Sequence, residues 1–290
     1  ITWETGRLCI VTGVPGHGKS ELVDEICENL NVLHGWKTVF FSPENWPVTY
    51  HIRKLVERVS GRPMLGPGKL SQDELIQALD FVDENFKFIL SKDEEYSLDK
   101  VLEVARGAIH AHGCKIVTLD PWNRIEHQLG KNEAETNYIS RMLSKISNFA
   151  QKNDVLFILV AHPRKLAKSK GQFEIPSLYD ISGSANFYNK ADYGLTVYRD
   201  FQMRAVQIHV QKVRYRHLGR IGTAVFLFNE LNGRYHPIMP DPKTGEVSFN
   251  WDEERGKFNN ESHINLIEYK NSDTQDGLWD KCETLPDAPF

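Results

Sequence analysis

Several features that would place the chain in a specialised class are missing from its sequence. No run of 18 apolar residues occurs in its 290 residues, so we expect no helix that spans a membrane. Cysteine is scarce, and its four copies lie far apart, at Cys9, Cys27, Cys114 and Cys282. That spacing fits neither a zinc site nor a disulfide framework and favours a reducing compartment. The composition, 40% hydrophobic and 26% charged, is typical of an ordinary globular protein.

A methionine and an apolar leader are also missing from the first residues, which read ITWETG. We therefore expect a segment of a longer protein.

Negative charge is slight overall, at net −4, but it is concentrated at one end. From Trp251 to the last residue there are ten acidic and four basic residues, so the first 250 residues carry about +2. The body of the chain could hold a polyanion that the tail would repel.

Strand and helix patterns alternate along the chain, which predicts an α/β fold with a mostly parallel sheet flanked by helices. We predict strands over 7–14, 37–44, 87–90, 115–121 and 155–163, and helices over 19–34, 48–60, 71–86, 98–112 and 133–151. Further strands joined by short turns are predicted over 195–200, 205–215, 222–229 and 233–238, and we expect them to add antiparallel strands at the C-terminal side of the sheet. Since the last forty residues lack sustained periodicity, we divide the chain into a domain over 1–240 and an acidic extension over 241–290.

The segment GVPGHGKS, residues 13–20, matches the phosphate-loop pattern G-x-x-x-x-G-K-[ST]. It follows a predicted strand and opens a predicted helix, where glycines let backbone N–H groups surround phosphate oxygens. Lys19 would neutralise the β- and γ-phosphates, and Ser20 would bind Mg²⁺. The candidate nucleotide contacts are Gly13, Pro15, Gly16, His17, Gly18, Lys19 and Ser20. The alternative, a chance glycine-rich turn, does not explain the flanking strand and helix.

Three side chains at predicted strand ends complete a hydrolytic site. Asp120 ends KIVTLD and would hold Mg²⁺ with Ser20, although an acid at a strand end is often only a surface carboxylate. Glu44 ends the second predicted strand, which we expect beside the first, and would orient the attacking water. Its alternative role is to stabilise the following helix dipole. His162 would sense the γ-phosphate, unless it is merely structural.

Taken together, these residues resemble the ring-forming replicative DNA helicases of the RecA-like class. The resemblance is closest to the helicase half of phage primase-helicases and Twinkle-type enzymes, which carry a DnaB-like C-terminal domain. It covers about Arg7 to Tyr235, and its markers are GVPGHGKS, HGWKTVFFSPE, VTLDPWN, FILVAHPRK, YDISGSANFYNKADYGLTVYR and QKVRYRHLGRIG. It implies a RecA-like NTPase core that uses Mg²⁺ and ATP, dTTP or another nucleotide. It also implies a hexameric or heptameric ring that moves on single-stranded DNA.

The resemblance also assigns roles to residues outside the phosphate loop. Lys212 and Arg214, in QKVRYR, match the finger segment that reaches the γ-phosphate held by the neighbouring subunit. Arg199 matches an arginine that stacks on the base, and Phe228 lies where the phage enzymes place an aromatic on its other face. The DNA-contacting loops would include Arg164, Lys165, Lys168, Lys170, Ser182, Gly183, Ser184 and Asn186. The alternative for these loops is a solvated stretch that touches nothing.

Other functions share this core. A RecA-like strand-exchange ATPase would form filaments and handle two strands, and a nucleotide switch or P-loop kinase would not translocate. The resemblance further implies that the acidic tail ending at Phe290 binds a DNA polymerase, whereas its composition alone predicts a solubilising tail. For the compartment we expect the cytoplasm of a bacterial or phage-infected cell, or else a mitochondrial or plastid matrix.

Overall fold

A nine-stranded sheet with helices on both faces organises the chain. The computed structural model describes residues 1–90, 96–126, 133–164, 166, 168–169, 172–182, 185–201 and 205–238, with short strands at 251–252 and 257–258. The strands of the sheet are β1 (Arg7–Gly13), β2 (Lys37–Phe41), β3 (Phe86–Phe88), β4 (Cys114–Leu119), β5 (Leu156–Val160), β8 (Tyr193–Asp200), β9 (Ala205–Val213), β10 (Gly222–Phe228) and β11 (Tyr235–Pro237). Outside it lie β6 (Lys168–Ser169), β7 (Gln172–Phe173), β12 (Trp251–Asp252) and β13 (Lys257–Phe258).

The order of the strands is β11-β10-β9-β8-β1-β5-β4-β2-β3. From β3 to β8 every neighbouring pair is parallel, and β8 to β11 are paired antiparallel. The predicted mostly parallel sheet with antiparallel strands added at the C-terminal side is therefore confirmed. β5 lies between β1 and β4 with all five residues buried, as its continuous apolar run predicts.

Six helices cover the two faces of the sheet in the described part of the chain. Their bounds are α1 (Lys19–His34), α2 (Val48–Ser60), α3 (Gln72–Asn85), α4 (Leu98–His112), α5 (Glu135–Asn153) and α6 (Asn186–Lys190). One buried cluster packs α1, α2 and α3 on one face, and a second packs α4, α5 and α6 on the other. None of the described helices combines the length and apolar character needed to cross a bilayer.

Local sequence signals explain where several helices begin and end. The Ser71 hydroxyl accepts from the Glu74 N–H at 3.3 Å, and the Glu74 carboxylate accepts from the Ser71 N–H at 2.7 Å. This is the predicted capping box, and α3 begins immediately after it. Gly35, Gly61 and Gly113 end α1, α2 and α4 in the left-handed conformation that glycine adopts without steric cost.

Most predicted strands end one to three residues beyond the strands of the structure, and two of these differences concern strands that precede site residues. β2 ends at Phe41, because the chain turns at Ser42, whose carbonyl accepts from the Asn45 N–H at 3.1 Å. β5 ends at Val160, two residues before His162. The expectation that the second strand lies beside the first is wrong, because β5 and β4 separate β1 from β2. Successive βα units in this chain do not place their strands in sequence order.

A buried ionic cluster joins α1 to α2. Arg58 is fully buried, and its guanidinium contacts the carboxylates of Glu21, Glu25 and Glu28. Burial raises the pKa of Glu28, and the Arg58 charge opposes that rise. The Arg58 guanidinium also donates to the Gly233 carbonyl, so the cluster ties the turn before β11 to the helical layer.

Removal of this guanidinium should strongly destabilise the fold. Arg58→Met should lower the free energy of unfolding by about 3–5 kcal/mol, because Glu28 would be left buried without its cation. Arg53→Met, on the same helix, removes a half-exposed i,i+4 pair with Glu57 and should cost about 0.5 kcal/mol or less. Urea unfolding of both variants measures the difference. If both variants lost the same free energy of unfolding, the burial of Arg58 would not determine how much its contacts stabilise the fold.

Candidate nucleotide-binding and hydrolytic site

A cavity of about 430 Å³ lies where the parallel strands end. The phosphate loop follows β1, Asp120 follows β4 and His162 follows β5, so the sheet brings three separate segments together. Its lining residues are Pro15, Gly16, His17, Gly18, Lys19, Ser20, Glu21, Glu44, Lys54, Asp120, His162, Arg199, Val206, Phe228 and Tyr235. Of the predicted nucleotide-binding residues, only Gly13 does not line it.

The loop backbone has the curvature that anion binding requires. Gly16 and Gly18 have φ angles of 78° and 94°, which favour glycine. Lys19 is buried, and its ammonium donates to the carbonyls of Gly13 and Val14 at 3.2 Å each. Burial lowers the pKa of Lys19, while the carboxylates of Asp120 and Glu44 raise it. The ammonium is therefore held inside the loop beside two acids.

Gly13 supports the loop from behind the cavity. Its φ is 150°, and a Cβ atom there would lie 2.3 Å from the Val197 carbonyl oxygen on β8. Only glycine permits this close approach of β1 to β8, so Gly13 positions the loop by packing.

Asp120 and Ser20 provide oxygen ligands suited to Mg²⁺. Burial raises the pKa of Asp120 to about 6, and a hydrogen bond from Ser20 opposes the rise. The charges of Asp24 and Glu44 raise it further. A buried carboxylate beside other acids is stabilised by a cation, and Mg²⁺ is commonly held by one or two protein oxygens together with substrate phosphates. The two residues therefore fit the ion.

Glu44 reaches the cavity from a turn rather than from a strand end. It lies three residues beyond β2 and is about half exposed. Arg124, in the 3-10 turn that follows Asp120, donates to Glu44 Oε1 at 3.3 Å. Glu44 therefore lines the same cavity as the phosphate loop, although β4 and β5 separate its strand, β2, from β1.

His162 lies beside the same turn. Its backbone N–H donates to Asn123 Oδ1 at 3.2 Å, which links the segment after β5 to the segment after β4. Burial lowers the pKa of His162, and the nearby Lys19 charge lowers it further. The ring is therefore favoured in its neutral form, which carries one N–H donor and one acceptor.

Aromatic and basic side chains form the other end of the cavity. The Arg199 guanidinium carbon lies 5.9 Å from the Phe228 ring centroid, and Arg199 pairs with Glu230 at 2.8 Å. A base held between the two groups needs about 7 Å, twice a van der Waals contact, so they must separate slightly to admit one. His17 Nδ1 accepts from the Arg199 N–H at 2.9 Å, which ties the loop to β8. Burial lowers the pKa of His17 and favours this acceptor form.

The predicted finger residues, Lys212 and Arg214, contact α6 rather than the cavity of their own chain. The Lys212 ammonium donates to the Tyr188 carbonyl, and Arg214 Nη2 donates to the Asn189 carbonyl at 2.8 Å. Arg214 Nε also pairs with the buried carboxylate of Asp192 at 3.2 Å. Neither Lys212 nor Arg214 lines the cavity, so the predicted contact with a γ-phosphate would have to be made to another copy of the chain.

The two predicted DNA loops meet at their bases. Pro163 forms a bridge with Ile181, and the exposed Arg164 donates its N–H to the Asp180 carbonyl at 2.7 Å. Asn186 Nδ2 donates to the Thr136 carbonyl at 3.0 Å. Ser182 is half-buried, and Lys168 is described only as part of the backbone of β6. Lys165, Lys170, Gly183 and Ser184 lie outside the described residues.

Comparisons with known proteins agree with this geometry. Residues 2–236 match the family described as the DnaB-like helicase C terminal domain. The chain belongs to this family. It is 37% identical over 249 residues, 81% of this chain, to the Twinkle homolog protein, chloroplastic/mitochondrial, of Arabidopsis thaliana. This helicase domain spans 35% of the length of that relative.

Two solved structures share the fold. One is an isolated ATPase domain, with a TM-score of 0.66 at 18% identity, over 80% of this chain and 85% of the other. The second, a DnaB-like replicative helicase described with its interactions with primase, has a TM-score of 0.67 at 18% identity, over 80% and 59% of the two chains. These similarities show the shared fold, and it is the family match that favours a helicase over a strand-exchange ATPase.

Several residues of the helicase domain that line or support the site are not predicted from its sequence. Glu21, Lys54 and Tyr235 line the cavity, and Arg124 holds Glu44. The Tyr235 hydroxyl donates to the Gly18 carbonyl at 3.2 Å from a strand 217 residues away. The position of Glu21 directly after GKS is a sequence signal for proximity to phosphate, whereas Lys54 and Tyr235 carry no such signal.

Neutralisation of Asp120 should stabilise the nucleotide-free domain and abolish hydrolysis. The pKa of Asp120 is about 6 in the folded chain and ordinarily 3.8, so the ionised form of Asp120 opposes folding. This destabilisation is complete above pH 6 and disappears below about pH 4. Asp120→Asn should therefore raise the free energy of unfolding at pH 7 by about 1–3 kcal/mol. Thermal unfolding at several pH values should show the gain shrinking as pH falls through 6. Asp83→Asn, at an exposed site on α3, should show no such gain, and a pH-independent effect at Asp120 would contradict the burial argument.

Proposed function

We propose that this chain is the motor domain of a replicative DNA helicase, which hydrolyses a nucleoside triphosphate and moves along single-stranded DNA as a ring of six or seven copies. One observation carries the proposal: a single cavity holds the phosphate loop, an acid suited to Mg²⁺, an acid suited to orient water, and an imidazole. The family match supports it, and the chain's extent of only 35% of its curated relative is consistent with one domain of a larger enzyme.

In the proposed reaction, each part of the site has a separate task. The loop N–H groups and Lys19 bind the phosphates, and Ser20 and Asp120 hold the metal. When Mg²⁺ is bound, it neutralises charge on the β- and γ-phosphates. Glu44, held by Arg124, orients the water that attacks the γ-phosphorus atom. His162 would hydrogen-bond to the γ-phosphate, and Arg199 and Phe228 would contact the base.

The proposed ring supplies the remaining group across an interface. Arg214, with Lys212, would stabilise charge that develops on the γ-phosphate of the neighbouring copy, an effect of about 10³-fold or more in rate. DNA would contact the paired loops, where exposed Arg164 and the amide of Asn186 suit phosphate oxygens rather than bases.

The substrates, partners and compartment beyond this core are also proposals. The nucleotide is ATP, dTTP or another nucleoside triphosphate. A polymerase contact made by the tail that ends at Phe290 falls outside the described residues and stays a prediction. The name of the Arabidopsis relative places that protein in chloroplasts and mitochondria. For this chain an organellar matrix and the cytoplasm of a bacterial or phage-infected cell both stay predictions.

Lys19→Ala and Glu44→Gln should abolish DNA-stimulated hydrolysis for different reasons. Lys19→Ala should also weaken nucleotide binding, because it removes a charged phosphate contact. Glu44→Gln should still bind nucleotide, because only the orientation of water is lost. Phosphate release with and without single-stranded DNA, and equilibrium binding of a fluorescent ATP analogue, distinguish the two. Glu103→Gln, at an exposed position on α4, is the matched control, and normal turnover by Glu44→Gln would exclude its proposed role.

Arg214→Ala should bind nucleotide and DNA nearly normally but hydrolyse about 10³-fold more slowly. Mixed rings of Arg214→Ala and Lys19→Ala subunits should regain part of the activity, because an intact loop can then face an intact finger. Arg214→Lys preserves a charge beside Asp192 and controls for folding, and Arg216→Ala removes an exposed charge from the same segment. No recovery in rings shown to contain both variants would rule out action across the interface.

A further inference from the structure

The chain places one of its own carboxylates at the phosphate end of the cavity. Glu21 directly follows Ser20, lies in the first turn of α1 and lines the cavity. The N-terminus of a helix attracts anions through its free N–H groups and its dipole. An ionised Glu21 therefore occupies the same favourable field that a bound phosphate needs, and it would repel that phosphate at short range.

Two cations from α2 contact this carboxylate. The Lys54 ammonium donates to Glu21 Oε1 at 2.5 Å, and Arg58 Nη1 donates to Glu21 Oε2 at 3.2 Å. Lys54 also lines the cavity, so the ion pair that it forms with Glu21 borders the space for the ligand. Both oxygens of Glu21 thus point toward α2.

Lys54 is the cation on which Glu21 mainly depends. Arg58 divides its donors among Glu21, Glu25, Glu28 and the Gly233 carbonyl, whereas the only Lys54 pair in the described part of the chain is with Glu21. Burial lowers the pKa of Lys54, but the charges of Glu21 and Asp24 raise it above its ordinary value. The side chain is therefore charged at neutral pH.

Among the described residues, the surrounding cluster has no further cation that could replace Lys54. Asp24 and Glu28 are each about 2% exposed, and one carboxylate oxygen of each has no hydrogen-bond partner among the described residues. Asp24 pairs with His51 at 2.9 Å, and Glu28 uses Arg58. Loss of the Lys54 charge would therefore leave an excess of negative charge next to the phosphate loop.

We infer that Lys54 is a positioning residue for nucleotide binding, which neutralises Glu21 and holds its carboxylate away from the phosphate site. The inference rests on the proposed function, since it requires a polyphosphate at the loop. It assigns Lys54 no contact with the substrate. The ligand class it concerns is any nucleoside triphosphate, because the effect depends on phosphate charge and not on the base.

Removal of the Lys54 charge tests this inference. Lys54→Met should weaken binding of a fluorescent ATP analogue about 10-fold at low salt, the order expected for one uncompensated charge near the site, and less at high salt. The double variant Glu21→Gln with Lys54→Met should bind as tightly as the unmodified chain, because the repelling carboxylate is gone. Lys54→Arg should retain binding. Arg53→Met removes the same charge from the neighbouring position on α2, outside the cavity, and should bind normally.

Two binding results with Lys54→Met would overturn the inference. If Lys54→Met weakens binding and the double variant does not restore it, Lys54 contacts the phosphates directly. If Lys54→Met binds normally, Glu21 is not repelling. If Lys54→Met fails to fold, nucleotide binding by Glu21→Gln alone tests the inference. Binding weaker than that of the unmodified chain would mean that Glu21 assists the ligand, and the inference would be overturned.

Lys19→Ala separates failure of this inference from failure of the proposed function. If the unmodified chain binds the analogue and Lys19→Ala does not, the loop is a nucleotide site whatever Lys54 does. If neither binds the analogue, the proposed function fails and the inference fails with it.

Discussion

Parallel pairing of β1, β5 and β4 is the constraint on which the site depends. Parallel strands end at the same edge of a sheet, so the phosphate loop, His162 and Asp120 emerge side by side although more than 140 residues separate the first from the last along the chain. The close approach of β1 to β8 at Gly13 fixes the start of the loop from the other side. Tyr235, from the antiparallel part, then reaches over the sheet to the Gly18 carbonyl. The antiparallel extension therefore closes the cavity in addition to lengthening the sheet.

The same edge collects an unusual amount of buried charge. Asp120, Lys19 and Glu28 are all buried, and the charges around each of them compensate only part of its desolvation cost. A protein selected for stability alone would replace such groups with apolar ones. Burial raises the pKa of Asp120, and a bound cation such as Mg²⁺ would offset the cost of keeping this carboxylate ionised, which fits the metal role that we propose for it.

Most residues of this site can be predicted from the sequence because they lie in local sequence patterns. GVPGHGKS specifies its own loop geometry, and the continuous apolar run of β5 identifies a central strand. The strand order was wrong where it assumed that β2 lies beside β1, since a local pattern contains no information on which strands are neighbours. Arg124, Lys54 and Tyr235 were missed for a related reason. Each reaches the site through a contact between elements distant in sequence, and none lies in a sequence motif that indicates which residue it contacts.

The position of Lys212 and Arg214 connects the proposed finger segment to α6 and to the predicted DNA loop beside it. Their side chains bind the carbonyls at the C-terminal end of α6, a favourable place for cations, and the N-terminal end of α6, at Asn186, belongs to the second predicted DNA loop. Arg214 Nη2 is already engaged with three carbonyls of that end, including the one of Asn189. The same N–H groups cannot also bind a phosphate on a neighbouring subunit. A finger that acts across an interface must therefore exchange some of these bonds for phosphate contacts, and each exchange removes a stabilising contact from the helix that supports the DNA loop.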